Sequence, residues 1–214
     1  MVMAVHLPHR TLEQVPGSEP EAARRSEAEI IQGVIDGQRW ANAALYDSLY
    51  PVVARTLQKL LRDASGDYED LVQTSFEQIV RSLTKKGRSV VNIESWAGAI
   101  TAHVAVDALR ARIRDRRVFR LEEAPLPSSP DSTTPSLDRQ VEARWQLQWL
   151  QGVLARMRPQ HSEILILCDV LGHDLSEASS LTGVSPAAAQ RRLSRARSEL
   201  LRRTMGAGRR GRHE

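Results

Sequence analysis

Eleven residues divide this chain in two. From Pro125 to Pro135 stand four prolines, three serines and two threonines. Proline lacks the backbone donor and clashes one helical turn back, and Ser and Thr side chains compete for backbone hydrogen bonds. Such a stretch sustains neither helix nor core, and residues 120–137 read as a flexible linker. The flanking sequence is periodic. Ile30, Ile31, Val34, Ile35, Ala41, Ala44, Leu45 and Leu49 recur at spacings of three and four, as one face of a helix requires. Aromatic residues make up only 4% of the chain, so the core is aliphatic, and strand-like alternation is missing. The expectation is an all-α protein of two small helical domains, 26–119 and 138–204. A mobile extension (1–25) precedes them and a disordered basic tail (205–214) follows.

Within the first domain, Gly37 and Pro51 are expected breaks, with Val52, Val53, Leu57, Leu60 and Leu61 on a separate helix beyond the proline. Ser65-Gly66 reads as a turn. Asp67 then caps a helix with Glu69 and Asp70 in its first turn and Leu71, Val72, Phe76, Ile79, Val80 and Leu83 as its apolar stripe. That helix ends at Lys85-Lys86-Gly87-Arg88. Another runs from about Glu94 to Arg117. In the second domain Val141 to Leu154 form one helix and Pro159 opens the next, through Val170.

Charge is unevenly placed. The formal net charge is only +4, yet Pro186–Arg212 holds nine arginines against Glu199, and Arg110–Arg120 holds six against Asp115. Between them, Leu121–Asp138 carries four acids and no base. Codon usage accounts for arginine over lysine but not for clustering. Two basic zones around an acidic strip fit two contacts with a polyanion.

The sharpest motif lies near the C-terminus. Asp174 is placed to cap a short helix, with Glu177 three residues on as in a capping box. Gly183 suits the left-handed turn, Ser185 suits the next cap, and Pro186 sits where its missing N–H costs nothing. On the second helix Ala189, Leu193, Ala196 and Leu200 face inward; Gln190, Arg191, Ser194 and Arg195 face out. This is a helix-turn-helix, whose second helix can enter a DNA major groove. The bland reading is an amphipathic hairpin with a solvated basic face.

Other chemistry is not encoded. Cys168 is the only cysteine and lies in an apolar run, so a buried thiol is expected and neither a disulfide within the chain nor a cysteine zinc site is available. Acids at 67–70 serve the helix dipole rather than a metal. No histidine pair or nucleophile set has catalytic spacing, and Gly206–Gly211 matches a dinucleotide fingerprint only formally, with no strand before it. The expectation is no enzyme, no cofactor and no metal. No apolar run approaches the ~20 residues that cross a bilayer, and Met1–Arg10 has no signal-peptide core, so membrane insertion is not expected and the location is expected to be cytoplasmic.

Four segments together resemble the extracytoplasmic-function group of the sigma-70 family, bacterial transcription initiation factors. They are Asp67-Tyr68-Glu69-Asp70-Leu71-Val72-Gln73-Thr74-Ser75-Phe76, then Ser95-Trp96-Ala97-Gly98-Ala99-Ile100 with Asp107-Ala108-Leu109-Arg110, then Pro159–Leu165, and finally Ser185–Arg197 ending in Arg192-Leu193-Ser194-Arg195-Ala196-Arg197. The resemblance implies region 2 over 26–119 and region 4 over 138–204. It implies core RNA polymerase bound by Asp67, Asp70, Leu71, Gln73 and Phe76. It implies a −10 element met by Lys85, Lys86, Arg88, Asn92, Trp96, His103, Arg110, Arg112 and Arg114. It implies a −35 element met by Ser185, Ala187, Ala188, Gln190, Arg191, Arg192, Ser194 and Arg195. Promoter DNA and an anti-sigma factor are the further implied partners. The alternative is a helix-turn-helix regulator that acts without polymerase; a helical scaffold without DNA affinity is a third class. Ala102 and His103 replace an arginine and an asparagine usual in the group, and Pro186-Ala187-Ala188 stand where Gly-Thr is common, so base preference does not carry over.

Overall fold

The computed structural model describes residues 25–61, 67–86, 92–118 and 135–210. Among these every regular element is helical. In chain order they are α1 (Glu27–Ile35), α2 (Arg39–Leu61), α3 (Tyr68–Lys86), α4 (Ile93–Val118), α5 (Pro135–Arg156), α6 (Pro159–Leu165), a π turn (Ile166–Val170), α7 (Leu175–Thr182) and α8 (Pro186–Arg210). The contacts gather them into two compact units. The first holds α1, α2 to Gln58, α3 and α4 to Thr101; the second holds Lys59–Leu61, α4 from Ala102 and everything from α5 on. The extension 1–24, the Ser65-Gly66 turn, the linker to residue 134 and residues 211–214 lie outside the described residues.

The first unit starts with a closed capping box. Ser26 Oγ accepts from the Glu29 N–H at 3.3 Å, and Glu29 Oε2 accepts from the Ser26 N–H at 2.7 Å, satisfying two donors a helix start leaves free. Ile31 and Val34 are buried, and α1 packs on α3. Gly37, at φ 72°, supplies the left-handed residue that separates α1 from α2. The expected break at Pro51 does not occur: α2 runs unbroken through it. Ala41, Leu45, Leu49, Val53 and Leu57 recur every four residues and all are buried, so the stripe crosses the proline. A proline inside a helix costs roughly 3 kcal/mol; burying a large aliphatic side chain contributes about 1.5–3 kcal/mol each. Burial wins. Ser75 and Thr101 are fully buried, each donating its hydroxyl to its own helix, at Leu71 O (2.7 Å) and Ala97 O (2.8 Å).

In the second unit α5 begins at Pro135, two residues before Leu137, with proline at the first helical position where it is tolerated. Pro159 likewise opens α6. The helix expected through Val170 changes type at Ile166: Leu171 donates to Ile166 O at 2.9 Å, five residues back, as a π turn requires. Ile164, Leu165, Ile166 and Leu167 fill the interior with Val153, Leu154, Met157, Ala178, Ala189, Leu193 and Ala196. α6 and α7 both pack on α8. The expected disordered tail is also corrected. α8 continues to Arg210, with no proline to stop it and despite Gly206 and Gly208, which cost a helix about 1 kcal/mol each; residues 211–214 of the tail lie outside the described residues.

Candidate nucleic-acid interface

The helix-turn-helix is built from local chemistry. Asp174, extended at φ −69° and ψ 167°, accepts the Glu177 N–H on Oδ1 at 2.8 Å. α7 ends at Gly183, at φ 67° and ψ 32°, where the Val184 N–H reaches back to Ser179 O at 3.0 Å. Without a Cβ, glycine enters this region at no steric cost. Ser185 Oγ then accepts the Ala188 N–H at 3.3 Å, and Pro186 is the first residue of α8. Each start and stop signal thus stands where the turn needs it.

α8 divides into two sides. Ala189, Leu193 and Ala196 are buried against α6 and α7. Gln190, Arg191, Ser194 and Arg195 are exposed, with Ser185 and Ala187 at the exposed leading edge and Ala188 and Arg192 half-buried beside it. Outward side chains on the first turns of the second helix are the ones a major groove meets. Arginine pairs bidentately with guanine and glutamine with adenine.

Two polar clusters fix how α8 sits. Arg197 meets Asp169, on the π turn, through two parallel bonds, Nε to Oδ2 at 3.1 Å and Nη2 to Oδ1 at 2.6 Å. Deeper, the buried Glu199 takes a place on α8 beside the half-buried Leu200. Its Oε2 lies 2.6 Å from His161 Nδ1 and its Oε1 accepts from Arg203 at 2.8 Å. Burial pushes the Glu199 carboxyl up, but the hydrogen bonds of His161 and Arg203 together hold it below the ordinary carboxylate range. Arg203 also donates to Arg156 O, at 3.0 Å. The sequence reading missed both clusters: Asp169 is 28 residues from Arg197 and His161 is 38 from Glu199, and only the Glu199–Arg203 pair, four residues apart on one helix, follows a spacing rule.

The proposed polymerase-facing residues separate by burial. Asp67, just before α3, and Asp70 and Gln73 on it are exposed, with Gln73 Nε2 donating to Glu77 Oε1 at 3.1 Å. Leu71 and Phe76 are core residues, 9% and 3% exposed, so they hold α3 in place instead of offering a surface. Phe76 stacks on Tyr46 of α2 at 4.5 Å between ring centroids. Tyr46 in turn neighbours the exposed Tyr50, an aromatic edge that the sequence reading passed over.

The residues assigned to the −10 element are dispersed. Lys85 is exposed near the end of α3, Lys86 is its last residue, and Arg88 lies outside the described residues. Asn92 is a helix cap: its Oδ1 accepts the Ser95 N–H at 2.9 Å. Trp96 is packed in the first unit at 9% exposure. In the second unit His103 Nε2 meets Glu163 Oε1 at 3.0 Å; this hydrogen bond, stronger than the opposing burial, raises the imidazole pKa. Arg110 bonds Asp107 (3.0 Å), Ser162 Oγ (3.2 Å) and Ala155 O (3.4 Å). Arg112 is half-buried and Arg114 exposed.

Among the described residues no group of three or more His, Cys, Asp or Glu could hold a metal, and no helix is long and apolar enough to cross a membrane. Cys168 is half-buried rather than buried, and burial pushes its thiol up, away from the reactive thiolate.

With this geometry stand two family matches, "Sigma-70 region 2" over residues 45–115 and "Sigma-70, region 4" over 147–200. RNA polymerase sigma factor CarQ of Myxococcus xanthus is 33% identical over 80% of this chain and 92% of its own length. The chain belongs to the sigma-70 family. It falls in the extracytoplasmic-function (ECF) group: the ECF RNA polymerase sigma factor ShbA of Streptomyces griseus subsp. griseus is 23% identical, over 80% of this chain and 91% of that protein. Among solved structures, CnrH in complex with the cytosolic domain of CnrY is 18% identical, covers 84% of this chain and 97% of its own, and superposes with a TM-score of 0.49. A sigma factor is a transcription initiation factor, not an enzyme, and the region 4 match covers α7, the turn and α8 as far as Leu200.

Proposed function

We propose that this sigma factor binds core RNA polymerase through region 2 and selects promoters by reading the −35 element with α8 and the −10 element with the α3–α4 segment, which it helps to melt. The observation that carries the reading is the two-sided α8. Its apolar side is locked by Asp169 and Glu199, and its free side offers Gln190, Arg191, Ser194 and Arg195. No bond in DNA is made or broken; promoter choice is a difference in binding free energy. Each good bidentate base contact supplies about 1–3 kcal/mol of discrimination. An extruded base captured by region 2 offsets an opening cost of a few kcal/mol.

The exposed Asp67, Asp70 and Gln73 form the polymerase-docking edge, with Leu71 and Phe76 supporting it from within. Lys85, Lys86, Arg88 and Arg114 supply phosphate contacts near the −10 element. Asn92 acts through its cap on α4 rather than by touching a base. His103 and Arg110 reach DNA only after releasing Glu163 and Ser162. Membership in the ECF group supports an anti-sigma factor as a further partner. The test is a separation of functions. Arg191→Ala with Arg195→Ala abolishes −35-dependent run-off transcription while capture of core polymerase stays at the wild-type level. Equal loss of capture and transcription contradicts the assignment of roles.

A further inference from the structure

A cleft of about 620 Å³ opens between the start of α6 and the middle of α8. Its lining contains Arg158, Arg195 and Arg202, with the hydroxyls of Ser194 and Ser198 between them. All three arginines are exposed, and among the described residues no hydrogen bond or ion pair holds any of their guanidinium groups. The cleft also contains a carboxylate, Glu199, but both its oxygens are engaged, by His161 and by Arg203. The buried cluster therefore compensates the negative charge internally and leaves the rim positive. Arg197, tied to Asp169, is not in the lining.

Arg195 and Arg202 are seven residues apart, two turns and about 10 Å along the helix axis. Arg202 lies beyond the turns that meet base edges. Arg158 comes from a different helix. Guanidinium groups from two elements around an open cleft match phosphate oxygens, which accept bidentate arginine bonds. We infer that this cleft seats backbone phosphates of duplex DNA, with Arg158 and Arg202 fixing the depth and register of α8 in the groove and contributing no base preference. Phosphate contacts position and base contacts specify. This inference rests on the reading of α8 as a DNA element and adds a second, sequence-blind contact to it.

The salt dependence of binding tests it. The full chain is titrated against a short mixed-sequence DNA duplex by fluorescence anisotropy at increasing NaCl. Arg158→Ala and Arg202→Ala each lower the slope of log affinity against log salt by about 1, and the double variant by about 2. Arg202→Lys keeps the wild-type slope. Arg55→Ala, an equal loss of charge on the exposed side of α2, leaves it unchanged, and circular dichroism of every variant matches the wild type. A double variant with the wild-type slope overturns the inference. So does an Arg55→Ala slope as shallow as those of the cleft variants, which would reduce the effect to net charge. If the wild-type chain binds no duplex at any salt, the reading of α8 itself fails first, an outcome distinct from unaltered cleft variants.

Discussion

Single side chains on α8 have separable duties. Ala189, Leu193 and Ala196 are interior, Gln190 and Arg191 are exposed, and Arg197 and Glu199 are bound to the body of the second unit. Replacing Arg191 alone by alanine is expected to weaken promoter binding by about 1–3 kcal/mol, roughly 5- to 150-fold, with capture of core polymerase unchanged. Footprinting of the reconstituted holoenzyme measures it; an unaltered footprint would remove Arg191 from the readout. His103 gives a pH signature. Its raised pKa comes from Glu163, so the contact stabilises fully below the unfolded histidine value and fades as pH rises through the higher folded value. NMR titration of His103 is expected to give a midpoint above the ordinary imidazole value, and Glu163→Gln to return it. Glu199 has the opposite sense: held low in the folded state, its contribution is complete above the ordinary carboxylate value and lost as pH falls through the folded one.

At the level of elements, the contrast between α2 and the helix-turn-helix shows what a sequence reveals. The cap at Asp174, the turn at Gly183 and the cap at Ser185 were all legible, because each is a decision made within four residues by backbone sterics and one side chain. Pro51 misled, because its local cost is outweighed by a buried stripe that only tertiary packing completes. The same holds for the π turn and for Glu199, which reads as an exposed acid paired with Arg203 one turn on until His161 arrives from α6. Phe76 belongs to the apolar stripe of its helix and is buried as that pattern requires, and Trp96 is buried as well, at a position linked to the −10 element by resemblance alone. One prediction follows from α2. Pro51 is exposed and its helix is continuous, so Pro51→Ala restores a helical hydrogen bond and removes a clash at no packing cost. Thermal unfolding is expected to shift upward, by an amount corresponding to about 1–3 kcal/mol; a lowered melting temperature would show that the proline shapes α2.

For the whole molecule, division of labour is the governing idea. One unit is built on α3 with a carboxylate edge, and another on α8 with an arginine face. Helical architecture could be read from periodicity, whereas the two compact units divide within α4, between Thr101 and Ala102, and not at the Pro/Ser stretch. The groups that lock α8, and the arginine cleft beside it, could not be read, since they join residues tens of positions apart. Mapping of transcription start sites tests the account most directly. Core RNA polymerase, with and without the purified full chain, transcribes fragments of the source genome, and the 5′ ends are compared. The account predicts new start sites that appear only with the chain, share an upstream −35 sequence, and vanish with Arg191→Ala and Arg195→Ala. Identical 5′ ends with and without the chain would contradict it.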